Sequence, residues 1–196
     1  RPVVIYNPHP SPKLSSWFKH GAAVIAAFRN QNRYNLIFAP HVMLFARKWV
    51  VTVDPPSLAR VTAPSPETRA DPRIHIDTGS AASSDMRYTN RADIYLGDVS
   101  SQVYEFLRSP RPCLFLNAHK VAWQDDPNYL HWRAGPVLDN TDGLLDAIDA
   151  AVASHPDYAA TQQALIDATF SLSARASAER AADAIDAFLE GTLPLG

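Results

Sequence analysis

Short apolar runs rich in β-branched and aromatic residues alternate with longer segments of helical period through most of this sequence, and few folds satisfy that alternation. V-V-I-Y (3–6), N-L-I-F-A (35–39), R-I-H-I-D (73–77), I-Y-L (94–96) and C-L-F-L-N (113–117) read as strands, with a shorter one near Pro136–Leu138. Between the first two, Leu14 to Arg29 carries Trp17, Gly21, Val24, Ile25 and Phe28 at three- and four-residue spacing, one buried helical stripe. Further helices are expected over 84–90, 101–108, 143–154, 158–170 and 174–190, with a short one at Met43–Trp49. Pro55 to Pro72 is dense in proline and reads as mostly irregular. Such alternation predicts an α/β fold: a Rossmann-like parallel sheet of about six strands with helices on both faces. The three closing helices exceed what the sheet requires. The last of them gathers Ala178, Ala181, Ala182, Ile185, Phe188 and Leu189 on one side.

At 196 residues the chain can bury a full core, and a single domain over 1–196 is expected. A formal net charge of −2 gives no global field toward nucleic acid, so none is expected as a partner; an anionic ligand needs a local positive site. The lone Cys113 lies in an apolar run and reads as a buried, reduced thiol of a cytoplasmic protein. No apolar stretch approaches the ~18 residues that span a bilayer, and no secretory signal is evident. The abrupt opening R-P-V-V-I-Y-N, within two residues of a strand, suggests a piece cut at a domain boundary.

Ligands of such sheets bind beyond the carboxyl ends of the strands, where Asn7, His9, His41, Asp77, Asp98, Ser100, Ser101, Asn117 and His119 fall. The stretch G-D-V-S-S-Q-V-Y-E-F-L (97–107) is the most informative. Serines at the start of a helix lie beside free backbone N–H groups and the positive end of its dipole, which suits a phosphate without any lysine. Val99, Val103, Phe106 and Leu107 share one side of that helix, and Ser101 and Glu105, four apart, share the other. A glutamate one turn beyond a phosphate site can accept both hydroxyls of a ribose. The plainer reading is that a serine caps the helix, although a capping box on Ser101 would place its acid at 104, which is Tyr104. His75, between Ile74 and Ile76, reads as packing, and Trp123 to Trp132 as a loop stapled by aromatics. Asp125 and Asp126 have no ligand-spaced partner, so no metal site is expected.

The run A-D-I-Y-L-G-D-V-S-S-Q-V-Y-E-F-L followed by R-P-C-L-F-L-N resembles the CDP-glycerol glycerophosphotransferase family of teichoic-acid-type polymerases. V-V-I-Y-N-P, N-L-I-F-A-P-H, G-P-V-L-D-N and S-A-E-R-A-A-D-A-I are similar to that family's motifs in the same order. The resemblance implies the C-terminal, donor-binding half of a GT-B fold, with an N-terminal GT-B domain as its missing partner. It further implies a nucleotide-diphosphate donor as substrate and no separate cofactor. Ser100, Ser101 and His9 are then expected at the donor phosphates, Glu105 at the ribose, His41 as a catalytic group on the departing nucleotide, and Asp98 as the residue that orients the turn. The isolated domain would be inactive, with the full protein peripheral at the inner face of the plasma membrane. Two departures stand out: N-P-H-P-S-P-K replaces the family's P-T-x-R loop, and the Trp123–Trp132 segment lacks a counterpart. Sugar transfer, a UDP-N-acetylglucosamine 2-epimerase-like enzyme and a non-catalytic ligand-binding or assembly domain remain as alternatives.

Overall fold

The computed structural model describes residues 1–29, 31–53 and 56–191. Along the chain run β1 (Val3–Asn7), α1 (Trp17–Phe28), β2 (Asn35–Phe38), β3 (Trp49–Thr52), β4 (Ser57–Arg60), α2 (Pro66–Arg69), β5 (Ile74–Ile76) and α3 (Arg87–Arg91). There follow β6 (Ile94–Gly97), α4 (Gln102–Phe106), β7 (Cys113–Leu116), β8 (Val137–Leu138), α5 (Leu144–Ala153), α6 (His155–Thr169) and α7 (Ser177–Leu189). Six of the strands form one parallel sheet in the order β5-β2-β1-β6-β7-β8. The chain runs outward from β1 to one edge, returns to β6, and runs outward to the other edge, which is the doubly wound Rossmann order.

β1, β6 and β7 are buried at every position, as expected of strands covered on both faces. The stripe Trp17, Gly21, Val24, Ile25 and Phe28 is the buried side of α1. It packs in a core with Val4, Tyr6, Leu36, Phe38, Leu96, Leu114 and Leu116, and α5 adds Leu144, Ile148 and Ala151. Gly21 is required there because a Cβ would run into the Trp17 ring. Gly135 is required where the chain enters β8, since a Cβ would meet the backbone carbonyl of Cys113. Cys113 is buried and free, and burial pushes its thiol pKa up.

Three expectations are corrected. Met43–Trp49 is a run of turns rather than a helix, and Trp49 opens an antiparallel hairpin of β3 and β4. The stretch expected to be irregular therefore contains β4 and the single turn α2, where Ser65 caps the helix and Pro66 takes the first position. Pro55 lies outside the described residues, while Pro64 and Pro66 sit outside the strands. His75 is exposed on the edge strand β5 and bonds the Tyr88 hydroxyl at 2.8 Å, so it is not packing.

Arg1–Ile166 forms one compact unit, and a second begins at Asp167. Within the second, Arg175 pairs with Asp183 at 2.5 Å and Arg180 bonds the Ser171 hydroxyl at 2.8 Å. α7 has no buried residue, and its apolar stripe leaves Ile185, Phe188 and Leu189 exposed. No helix among the described residues is long and apolar enough to cross a membrane.

Candidate functional site

The strand order reverses between β1 and β6, the point beyond whose strand ends sheets of this kind take their ligands. The turn after β6, the loop after β1 and the turn after β2 meet at this point. Asp98 joins the first two and is fully buried. One carboxylate oxygen accepts from the Ser16 amide at 2.5 Å and the Ser16 hydroxyl at 2.7 Å; the other accepts from the His9 amide at 2.9 Å. The Ser16 hydroxyl proton goes to Asp98, so the Tyr6 hydroxyl donates to Ser16 Oγ at 2.8 Å. Burial pushes the Asp98 pKa up to about 6 against the opposing pull of these hydrogen bonds. The Asp98 carbonyl in turn accepts from the Trp132 indole at 3.0 Å.

Ser100 and Ser101 are adjacent in sequence and differ completely in position. Ser100 is buried and donates to Asn7 Oδ1 at 2.8 Å, while Asn7 Nδ2 donates to the Ala39 carbonyl at 2.5 Å. This relay ties the ends of β6, β1 and β2 together, and it commits the Ser100 proton to the protein. Ser101 is exposed at the cap position of α4 and makes no side-chain cap hydrogen bond. The weak capping contact belongs to Ser100, whose Oγ lies 3.4 Å from the Gln102 amide. α4 spans five residues, so its dipole is short. Glu105, one turn beyond Ser101, is half-buried, and its Oε2 is enclosed without a hydrogen-bond partner among the described residues.

The two histidines expected at the site come together. The His41 amide donates to the Pro8 carbonyl at 3.2 Å, which joins the turn after β2 to the loop after β1. His9 Nδ1 accepts from the Ser11 amide at 3.0 Å, and His41 Nδ1 accepts from the Met43 amide at 3.3 Å. Both rings thus use Nδ1 as acceptor, which leaves the proton on Nε2. Burial, and then proximity to His41, lowers the His9 pKa to about 4, so His9 is neutral at neutral pH.

Other strand-end polar groups serve the scaffold. Asp77 accepts from the Gly79 amide at 3.0 Å, the Ser80 amide at 2.8 Å and the Tyr88 hydroxyl at 2.8 Å. Burial raises its pKa, yet these bonds outweigh it and hold the carboxyl well below its ordinary range. Asn117 clamps its own loop through the Val121 amide at 2.9 Å and carbonyl at 3.1 Å. Asp126 caps the 3₁₀ segment Pro127–Ala134 through the Asn128 amide at 2.8 Å. From that segment Trp132 is buried edge-on against Tyr129 and Trp123. His131, also buried, lies 3.3 Å from the Asp98 carbonyl, and burial lowers its pKa to about 4. Sequence reasoning missed the Ser16–Asp98–Trp132 tie; only the burial of an acid directly behind a strand hints at it.

No family model and no curated protein matches the sequence. Among solved structures, one of the wall teichoic acid polymerase TagF aligns at 16% identity and a TM-score of 0.62, over 98% of this chain and 45% of that chain. A TagF variant soaked with CDPG aligns at 16% identity and a TM-score of 0.60, over 97% and 43%. The glycotransferase of kitacinnamycin aligns at 14% identity and a TM-score of 0.52, over 99% and 44%. The chain therefore spans less than half the length of each of these proteins. By fold it is a Rossmann-like unit similar to part of GT-B transferases, TagF among them.

Proposed function

We propose that this chain is the donor-binding domain of a transferase that uses a nucleotide-diphosphate donor, of the CDP-glycerol glycerophosphotransferase type. The observation that carries the reading is the exposed hydroxyl of Ser101, which makes no cap hydrogen bond at the start of α4, one helical turn before the half-buried Glu105. In this reading the Glu105 carboxylate accepts from a ribose hydroxyl. Ser101 then bonds the donor diphosphate. Ser100 and Asp98 hold the turn that presents it, Ser100 through Asn7 and Asp98 through Ser16 and His9.

Phosphoryl transfer is chiefly a matter of position and charge. The acceptor hydroxyl's oxygen forms its bond to phosphorus, its proton passing to water or to a base outside this chain, as the bond to the bridging oxygen breaks and negative charge gathers on the departing nucleotide phosphate. His41 Nε2–H is the catalytic donor to that charge, and His9 Nε2–H meets the same phosphates. The rest of the active site belongs to a partner domain, in keeping with the share of the polymerase chains that this one spans.

Thermal unfolding with CDP-glycerol, CDP, UDP and GDP tests the reading. At a hundred times its Kd a ligand adds about 2.7 kcal/mol, a rise in Tm of about 5–10 °C for a chain this long. A cytidine-selective rise is expected. No rise with any of the four contradicts the proposal.

A further inference from the structure

A cavity of about 560 Å³ lies along β8, between the loop that follows β7 and Tyr158 of α6. Its size is that of a small-molecule site. The loop that walls it is fixed in three places. Asn117 holds Val121 by both amide and carbonyl, the Asp126 amide donates to the Trp123 carbonyl at 3.2 Å, and Arg133 Nη2 donates to the Gln124 carbonyl at 2.8 Å. Within that loop Lys120 takes a left-handed backbone conformation, φ 53°. Residues with a Cβ disfavour it, and those that adopt it gather where ligands are held.

The polar side chains on this cavity are uncommitted. Lys120, Asp139 and Tyr158 have no side-chain hydrogen bond or ion pair among the described residues, and Lys120 and Asp139 do not pair with each other. Arg133 spends one nitrogen on Gln124 and keeps its other donors. Trp123 is half-buried, lies edge-on to the buried Trp132 and lines the same space.

These groups narrow the ligand. An apolar molecule would strip water from four polar side chains and return nothing to them. A simple inorganic ion would fill little of the space and leave the indole uncovered. Lys120 and Arg133 against Asp139 leave one net positive charge, which matches a single anionic group and falls short of a nucleotide diphosphate. A sugar ring offers a face of C–H groups to an indole and hydroxyls to a carboxylate and a phenol. A guanidinium beside an ammonium suits a carboxylate.

We propose that this cavity binds a uronate, a sugar ring bearing one carboxylate. The carboxylate meets Lys120 and Arg133, ring hydroxyls meet Asp139 and Tyr158, and the apolar face of the ring lies on Trp123. Neither Ser101 nor Glu105 lines the cavity, and the inference does not depend on the reading given to those residues.

Saturation-transfer NMR on the 196-residue chain tests it, with D-glucuronate and D-galacturonate as probes and D-glucose as the neutral control. A ligand this small is expected to bind with a Kd of about 1 mM. Transfer is expected to at least one uronate and not to glucose, and CDP should leave it unchanged. Lys120→Gln and Asp139→Asn should each weaken binding by about tenfold, the loss of one charge-assisted hydrogen bond. Both residues are exposed, so folding is kept, and circular dichroism verifies it. Trp123→Ala should abolish transfer. Arg91→Gln, which removes an exposed cation on α3, is the matched control and should bind as the parent does. Transfer to glucose as strong as to the uronates, transfer to neither uronate, displacement by CDP, loss through Arg91→Gln, or unchanged affinity in both Lys120→Gln and Asp139→Asn would each overturn the proposal.

Discussion

The amide of His41 donates to the carbonyl of Pro8 at 3.2 Å, and this bond sets the imidazole of His41 beside that of His9. A charge on His41 opposes protonation of His9. Burial and the His41 ring keep the His9 pKa at about 4. A diphosphate beside His9 would favour its protonated form, so complex formation takes up protons. Affinity for CDP should therefore rise as pH falls from neutrality toward about 4, and His9→Gln should flatten that profile. Calorimetric titration at several pH values checks it; a flat profile for the parent protein argues that no phosphate sits by these rings.

Stability should show two opposing titrations. His9 and His131 both have pKa values lowered from 6.5 to about 4, so their contribution is complete above pH 6.5 and is lost as pH falls toward 4. Asp98 has its pKa raised from 3.8 to about 6, so its proton uptake favours the native state as pH falls across the same window. Asp98→Asn removes that compensation, worth about 3 kcal/mol over two pH units. It also turns an amide NH₂ toward the donors of Ser16 or His9, at a cost of about 1–3 kcal/mol. Relief of the buried charge offsets that cost at neutral pH, so urea unfolding should show the variant close to its parent in stability there and more steeply acid-sensitive.

Glu105→Gln should separate stability from binding. It replaces an enclosed, unpartnered carboxylate oxygen with a neutral amide, so unfolding free energy should hold or rise by about 1 kcal/mol. Binding of a ribonucleotide should weaken about tenfold to a hundredfold, the worth of a charge-assisted hydrogen bond. Denaturant midpoints and calorimetry on the same preparation read both effects.

Gly135→Ala should destabilise by about 1–3 kcal/mol, because its methyl group meets the backbone of β7, which cannot yield as a side chain can. Thermal unfolding checks it, and a neutral outcome would mean that β8 packs less closely on β7 than described.

What was legible in the sequence follows from which forces act locally. Strands buried on both faces read directly as apolar runs, and Val3, Ile94 and Cys113 each open one. The spacing from Ser101 to Glu105 is a property of any helix and needs no tertiary information. The division of labour between Ser100 and Ser101 was not, because two identical neighbours differ only in the angle at which the turn meets Asn7. The hairpin was hidden for a different reason: its alternation is short, lies beside prolines, and has its apolar set turned to solvent, against the rule by which strands are recognised. The meeting of His9 with His41 needed the β1–β2 register, and the indole of Trp132 reached Asp98 only through the folded 3₁₀ segment.

The central claim is that the Ser101 hydroxyl and the Glu105 carboxylate grip one nucleotide together. Calorimetric titration of CDP into the parent chain, Ser101→Ala, Glu105→Ala and the double variant measures this directly. The account predicts measurable binding to the parent, a loss in each single variant, and a double variant that binds no CDP. Equal affinity in all four proteins, or none in the parent, would contradict it.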